Sequence, residues 1–167
     1  MPSRTADGAA AAALIGSAVL LAIALAFQYL GGLSPCTLCH WQRFGHLIAI
    51  IGVGAIFSLS PGWRIVGLVG ALVSSGTGFF HVGTERGWWS AGSGCTGAPD
   101  LAGLSAEAAL QLLLEAVPVR CDEIAWSMFG LSMAGWNMVF SAILACLWIA
   151  SLRKCAQGNL PNKSIML

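Results

Sequence analysis

Charge is what this sequence has least of. Only 9% of its 167 residues are Asp, Glu, Lys or Arg, while 57% are hydrophobic. An ordinary soluble domain carries about 25% charged residues. A chain so poor in charge cannot clothe a water-facing surface and belongs to the membrane class. Its net charge of +1 argues against a nucleic-acid partner. The usual catalytic constellations are missing as well: there is no Ser/His/Asp set, no phosphate-cradling glycine loop and no carboxylate dyad. The glycine-rich stretch 87–97 follows no strand pattern and reads as a flexible loop. Six cysteines are too few and too scattered for a disulfide-stapled secreted mini-protein. No βαβ pattern surrounds the one C-x-x-C motif, which excludes the thioredoxin arrangement.

What is present is a series of long apolar runs. Residues 9–30 are long enough to cross a hydrocarbon core of about 30 Å as a helix. Arg4 precedes them and Ala24-Leu25-Ala26 has the form of a cleavage site. The run nevertheless exceeds the usual signal-peptide core of about 7–15 residues, so it is read as a retained first span. Residues 41–59 form a second span, whose first turns carry Gln42, Arg43 and His46. Ionisable groups at membrane depth are costly and more often functional than not, although Arg43 alone could equally snorkel to the interface. The turn Ser60-Pro61-Gly62-Trp63-Arg64 leads to a third span over 65–82, where Gly70, Ser74 and Gly78 make a small-residue stripe for close helix packing. A fourth span covers 128–152, with Asn137 expected to hydrogen-bond to another helix and Arg153-Lys154 as its stop.

The fold expected is all-α: one integral membrane four-helix bundle over 1–167 with a long extracytoplasmic loop, about 84–125. Within that loop, 105–117 reads as a short amphipathic helix with Leu110, Leu113, Leu114 and Val117 on its apolar face. Trp88 and Trp89 read as an interfacial belt, and the tail beyond Lys154 is polar. Arg4, Arg64, Arg153, Lys154 and Lys163 lie outside the loop, which holds only Arg86 and Arg120 among many acids. The positive-inside rule then puts both termini in the cytoplasm.

That orientation brings Cys36, Cys39, Cys95 and Cys121 to the outer face, where disulfides persist. Cys146 falls in the fourth span and Cys155 in the cytoplasmic tail. Cys36 and Cys39 form the C-x-x-C pair after Pro35, which suits the first turn of a helix. With the helix starting near Cys36, then Cys39, Arg43 and His46 share one face. The helix dipole and Arg43 both favour thiolate, the species that attacks disulfides. Cys95 and Cys121, far apart in the chain, would close the flexible loop. A mobile loop disulfide can meet a soluble protein while a helix-end pair meets a lipid-soluble acceptor, and exchange between them would carry two electrons across. A four-cysteine zinc site is the inorganic rival, but the second pair lacks the usual short spacing. His81, near the far end of the third span, shares the membrane face of Cys36 and Cys39 and could be a structural hydrogen-bonding residue or a ligand contact.

These residues together resemble the disulfide bond formation protein B family, the bacterial DsbB quinone-dependent oxidoreductases. The resemblance spans nearly the whole chain. It rests on the four spans, on Cys36-Thr37-Leu38-Cys39 followed by Gln42-Arg43, and on the loop cysteine pair. Arg120-Cys121-Asp122, Trp126, Gly130-Leu131-Ser132 and Trp136-Asn137 extend it. It implies an enzyme of the bacterial inner membrane that reoxidises a periplasmic thioredoxin-fold donor, DsbA or a DsbA-like protein, and passes the electrons to ubiquinone or menaquinone. By the same resemblance Cys95 would form the mixed disulfide with the donor and Cys121 would attack Cys36. Cys39 would then face the quinone beside Arg43, with His81 and His46 as further candidate quinone contacts. Two rival readings are a vitamin K epoxide reductase-like enzyme, whose loop cysteines precede its C-x-x-C pair, and a non-enzymatic membrane subunit braced by loop disulfides.

Overall fold

A computed structural model describes residues 4–57, 60–92, 95, 103–115 and 119–158. Helix α1, Arg4–Tyr29, is built from the alanine and leucine run. It ends where Gly32 takes φ +67°, a conformation open to glycine without strain. Helix α2, Thr37–Ile51, starts with Cys36 as its N-cap. Helix α4, Pro61–Glu85, is capped by Ser60 with Pro61 in the first turn, where a missing N–H costs nothing. A hairpin of β1, Ser127–Met128, and β2, Leu131–Ser132, precedes α6, Met133–Gly158. Ser132 starts α6 by accepting the Gly135 N–H at 3.1 Å.

Three of these helices are long and apolar enough to cross a membrane, over Gly8–Tyr29, Pro61–Glu85 and Met133–Gln157. The stretch expected as one span over 41–59 is divided differently. Helix α2 gives way at Gly52 to the short α3, Gly54–Phe57. At the break the chain runs close to α4: a Cβ on Gly52 would stand 2.9 Å from the Gly67 Cα and 2.9 Å from the Ala49 carbonyl oxygen. The span expected from 128 begins instead at Met133, because Phe129 and Gly130 both take positive φ and turn the hairpin before it.

Helix α4 packs between α2 and α6, while α1 lies against α6 and α2. The stripe read from the sequence does this work. A Cβ on Gly70 would fall 2.3 Å from the Ala49 backbone nitrogen, and one on Gly45 would fall 2.6 Å from that of Ser74. Gly78 meets Met138 of α6. The core is small-residue, with Ala10, Ala13, Ala71 and Ala145 around Trp148. Large apolar side chains such as Ile15, Val69, Leu72 and Ile143 point outward instead. Such an arrangement suits helices that associate by close packing within lipid.

Helix α5, Ala106–Glu115, occupies most of the expected loop helix and is capped by Ser105, whose Oγ accepts the Ala108 N–H at 3.2 Å. The expected apolar contacts of Leu113, Leu114 and Val117, the end of the second span, most of 93–102 and the tail from 159 lie outside the described residues and side chains.

Candidate functional site: a cysteine cluster beside an apolar cavity

The site begins at the first turn of α2. Cys36 has extended backbone angles, φ −79° and ψ 173°, and its Sγ accepts the Cys39 N–H at 3.4 Å. Its sulfur therefore sits where the helix dipole favours negative charge. The two sulfurs of Cys36 and Cys39 lie 3.1 Å apart as a dithiol. The Cys39 thiol hydrogen-bonded to Cys36, aided by His81, pulls the Cys36 pKa down to about 4 against the opposing effect of burial. Cys36 is thereby the thiolate of the pair at neutral pH.

Helix α4 supplies the next layer from its last turns. His81 Nε2 lies 3.7 Å from the Cys36 sulfur, and Nδ1 lies 2.9 Å from the Gln42 amide nitrogen. With Gln42 donating to Nδ1, the proton of the imidazole rests on Nε2 and faces the sulfur. Glu85, one turn further, places Oε1 3.8 Å from His81 Nε2 and accepts a short hydrogen bond from Ser132. Ser132 entered the sequence reading only within Gly130-Leu131-Ser132, and Glu85 only as one acid among those of the loop. Its i, i+4 relation to His81 was the available signal.

The loop closes over this helix end through a disulfide between Cys95 and Cys121, whose Cα atoms lie 5.4 Å apart. Cys121 is fully buried, Cys95 nearly so, and both pack with Cys36, Cys39, Leu38 and Val119. Joined to each other, they offer no thiolate pair for a four-sulfur metal site. The four outer cysteines of the sequence reading thus form one cluster. Cys146 is exposed on α6, and Cys155 is buried near that helix's end.

Beneath the cluster opens a cavity of about 480 Å³ walled mainly by apolar side chains, Phe27, Trp126 and Phe140 among them. Cys39, Arg43 and His46 all line it, as their shared helix face requires. Arg43 is turned toward α1, donating to Gln28 Oε1 and, at 3.0 Å, to the Ala24 carbonyl oxygen. His46 lies deeper and bonds Asn137 Oδ1 at 2.8 Å through Nε2. Asn137 is thus the interhelical partner expected from its place in the fourth apolar run, and Ser74 and Ser141 complete the network. The arrangement joins a thiolate, a proton-bearing imidazole, a neighbouring disulfide and an apolar chamber at one end of the helices.

The model of the family "Disulfide bond formation protein DsbB" matches residues 6–151. The chain belongs to the DsbB family. Among its relatives in the family, Disulfide bond formation protein B of Marinobacter nauticus is 33% identical, covering 77% of this chain and 80% of its own length. The protein of the same name from Shewanella sp. strain MR-4 is 31% identical over 89% of each chain. That of Stutzerimonas stutzeri is 28% identical, over 81% of this chain and 89% of the relative. No solved structure matches the chain. Membership in the DsbB family and the apolar helices together make this a membrane protein of disulfide chemistry.

Proposed function

We propose that this protein is a quinone-dependent oxidase of protein dithiols, held in the bacterial inner membrane with its cysteine cluster on the periplasmic side. In this reading α2 and α3 together make the second of four crossings, since 37–57 rises about 31 Å as a helix. The single observation that carries the reading is the half-buried Cys39 packed with the buried Cys36, Cys95 and Cys121 beside an apolar cavity. A loop disulfide that served only as a brace would have no reason to pack on a second, reactive sulfur pair.

The exchange balances as follows. A DsbA-like periplasmic dithiol protein gives a thiolate that attacks Cys95 and forms a mixed disulfide, releasing Cys121. The donor's second thiolate resolves this bond and leaves oxidised, leaving Cys95 and Cys121 as thiols. Cys121 then attacks Cys36 of an oxidised Cys36–Cys39 pair, and Cys39 departs as thiolate. Cys95 attacks Cys121 in turn, restoring the loop disulfide and leaving Cys36 and Cys39 reduced.

Ubiquinone or menaquinone, when bound, supplies the two-electron acceptor and a lipid-soluble exit. The cavity suits such a group on its own terms: its walls are mainly apolar, it opens beside Cys39, and Gln42, Arg43, His46, His81 and Asn137 offer polar groups that could orient a ring, with Glu85, Arg120 and Glu123 also lining it. Arg43 would orient the ring by its guanidinium, while His81 holds a proton at Nε2 against the Cys36 thiolate. The cysteine order, C-x-x-C before the loop pair, separates this chain from the vitamin K epoxide reductase-like arrangement.

Anaerobic mixing of the purified protein with a reduced DsbA-like donor and a quinone tests the reading through the quinone's absorbance. One quinone should be reduced per donor dithiol oxidised. Cys39→Ser should abolish quinone reduction while Cys95–Cys121 still forms mixed disulfides with the donor. Full turnover in that variant would overturn the assignment.

A further inference from the structure

The three side chains that meet where α2 begins and α4 ends are suited to a second chemistry besides electron exchange. Cys36 Sγ lies 3.1 Å from Cys39 Sγ and 3.7 Å from His81 Nε2. One ligand atom from each of the three residues falls within 4.8 Å of both others. Around a tetrahedral zinc ion, with Zn–S about 2.3 Å and Zn–N about 2.0 Å, such neighbours stand about 3.5–3.8 Å apart. The sulfurs would part by less than about 1 Å, and the imidazole is already in range. The C-x-x-C spacing is itself one that zinc sites use, and a histidine from another helix completes a three-ligand set with a fourth place open.

Charge and hydrogen bonding agree with that geometry. Cys36 already carries its negative charge at neutral pH. Cys39 would give one proton to solvent, so that two thiolates meet the two positive charges of the ion and the complex is neutral. Neutrality is what a site beside an apolar cavity favours. Glu85 Oε1, 3.8 Å from Nε2, lines the cavity together with Cys36, Cys39 and His81. The Gln42 amide lies 2.9 Å from His81 Nδ1, on the other side of the ring. Turned over, it presents its carbonyl oxygen to an Nδ1–H, which leaves on Nε2 the lone pair a metal needs.

We propose that the reduced Cys36–Cys39 pair and His81 form a redox-gated site for a thiophilic divalent cation, zinc, held through the two sulfurs and Nε2. The disulfide form has no thiolate to offer and does not bind the ion. The ion therefore captures the protein only after electrons have reached the helix-end pair, and it holds them there. By linkage, free zinc at a hundred times its dissociation constant raises the dithiol-to-disulfide ratio about a hundredfold, equal to a rise of about 60 mV in the potential of the pair. Zinc is thus an inhibitor of the relay that acts on one redox state. The site needs neither a donor protein nor a quinone, so it stands or falls separately from the function proposed above.

The test uses the full chain in lipid discs, with Cys95→Ala, Cys121→Ala, Cys146→Ala and Cys155→Ala so that Cys36 and Cys39 are the only sulfurs able to bind as thiolates. The protein is reduced with dithiothreitol, desalted anaerobically and titrated with Cd²⁺, followed by thiolate-to-cadmium charge-transfer absorbance. Competition by Zn²⁺ then gives the zinc dissociation constant. One ion should bind per chain, and the same protein oxidised to the Cys36–Cys39 disulfide should bind at least about a hundredfold more weakly. His81→Ala should weaken binding by at least about tenfold, and His81→Cys should restore it. X-ray absorption of the zinc form of the parent protein reads the ligands without any change at His81. It should show two sulfurs at about 2.3 Å and an imidazole nitrogen at about 2.0 Å. Absence of binding, equal affinity in both redox states, or one ion shared by two chains would overturn the proposal. An unchanged dissociation constant in His81→Ala, or a zinc spectrum without imidazole, would do the same.

Discussion

A sulfur at the N-cap of a helix, 3.1 Å from a second sulfur and 3.7 Å from an imidazole nitrogen, has its charge prepared before any partner arrives. The Cys36 pKa falls from 9.0 to about 4, and Cys39 and His81 are the main reasons. The sign of the consequence follows from that depression. Between pH 4 and pH 9 the folded dithiol form holds a thiolate that the unfolded chain does not. Its stabilising contribution is complete above pH 9 and is lost as pH falls through that window. Iodoacetamide modification of Cys36 in the reduced protein, followed by peptide mass spectrometry, should therefore be nearly flat from pH 8 to pH 5 and decline around pH 4. His81→Ala should move that decline to higher pH, and modification at pH 4 should be about tenfold slower for each unit of upward shift. A rate that drops tenfold per unit below pH 8 in both proteins would remove the thiolate from Cys36. Cys36, Cys39, Arg43 and His46 were legible from spacing alone, because a 3.6-residue period fixes which of them share a face. The His81 contact was not, since a pairing across 45 residues depends on how two helices dock. The turn of Arg43 toward Gln28 and Ala24 depends likewise on the docking of α1.

Helix α4 shows at the scale of an element what glycine position means. Gly70 and Gly76 sit in the same helix, but a Cβ on Gly70 would strike the backbone of α2 at 2.3 Å, whereas one on Gly76 meets nothing within 4 Å. Gly70→Ala should force α2 and α4 apart and cost about 1–3 kcal/mol. It should also disturb the site, because the same two helices carry Cys36 and His81. Gly76→Ala removes a helix-weakening residue at no steric cost and should be neutral or stabilising by up to about 1 kcal/mol. Thermal unfolding in detergent separates them. Equal effects from the two substitutions would mean that the α2–α4 contact does not set stability. The stripe of Gly70, Ser74 and Gly78 was visible as a periodic run of small residues, and Asn137 as a polar intrusion in an apolar one. The break at Gly52 and the hairpin at Phe129-Gly130 were not. Hydropathy reads through both stretches, one marked by a glycine lying against a neighbour's backbone and the other by two positive φ angles.

The molecule as a whole is polarised along its helices. The cysteine cluster, His81, Glu85 and Ser132 gather where α4 ends and α6 begins. At the other end, Arg64 is fully buried, donating to Ser151 Oγ at 3.0 Å and to the Ala55 carbonyl oxygen at 3.3 Å, near the basic Arg153-Lys154 pair. A guanidinium so enclosed is anchored by the fold, while the exposed basic residues at that end are free to obey the charge rule for cytoplasmic loops. The proposed orientation follows from this polarity and is open to labelling. In a background with Cys146→Ala and Cys155→Ala, Ser105→Cys sits exposed beside α5, and Arg153→Cys sits exposed near the end of α6. An impermeant maleimide added to intact spheroplasts should modify Ser105→Cys at least about tenfold faster than Arg153→Cys, and permeabilisation should bring the two rates together. The reverse pattern would place Cys95 and Cys121 in the cytosol, where glutathione and thioredoxin keep thiols reduced. A loop disulfide there would be reduced by the surrounding thiols in place of a dedicated donor, and the cluster would pass no electrons from periplasmic dithiols to the cavity.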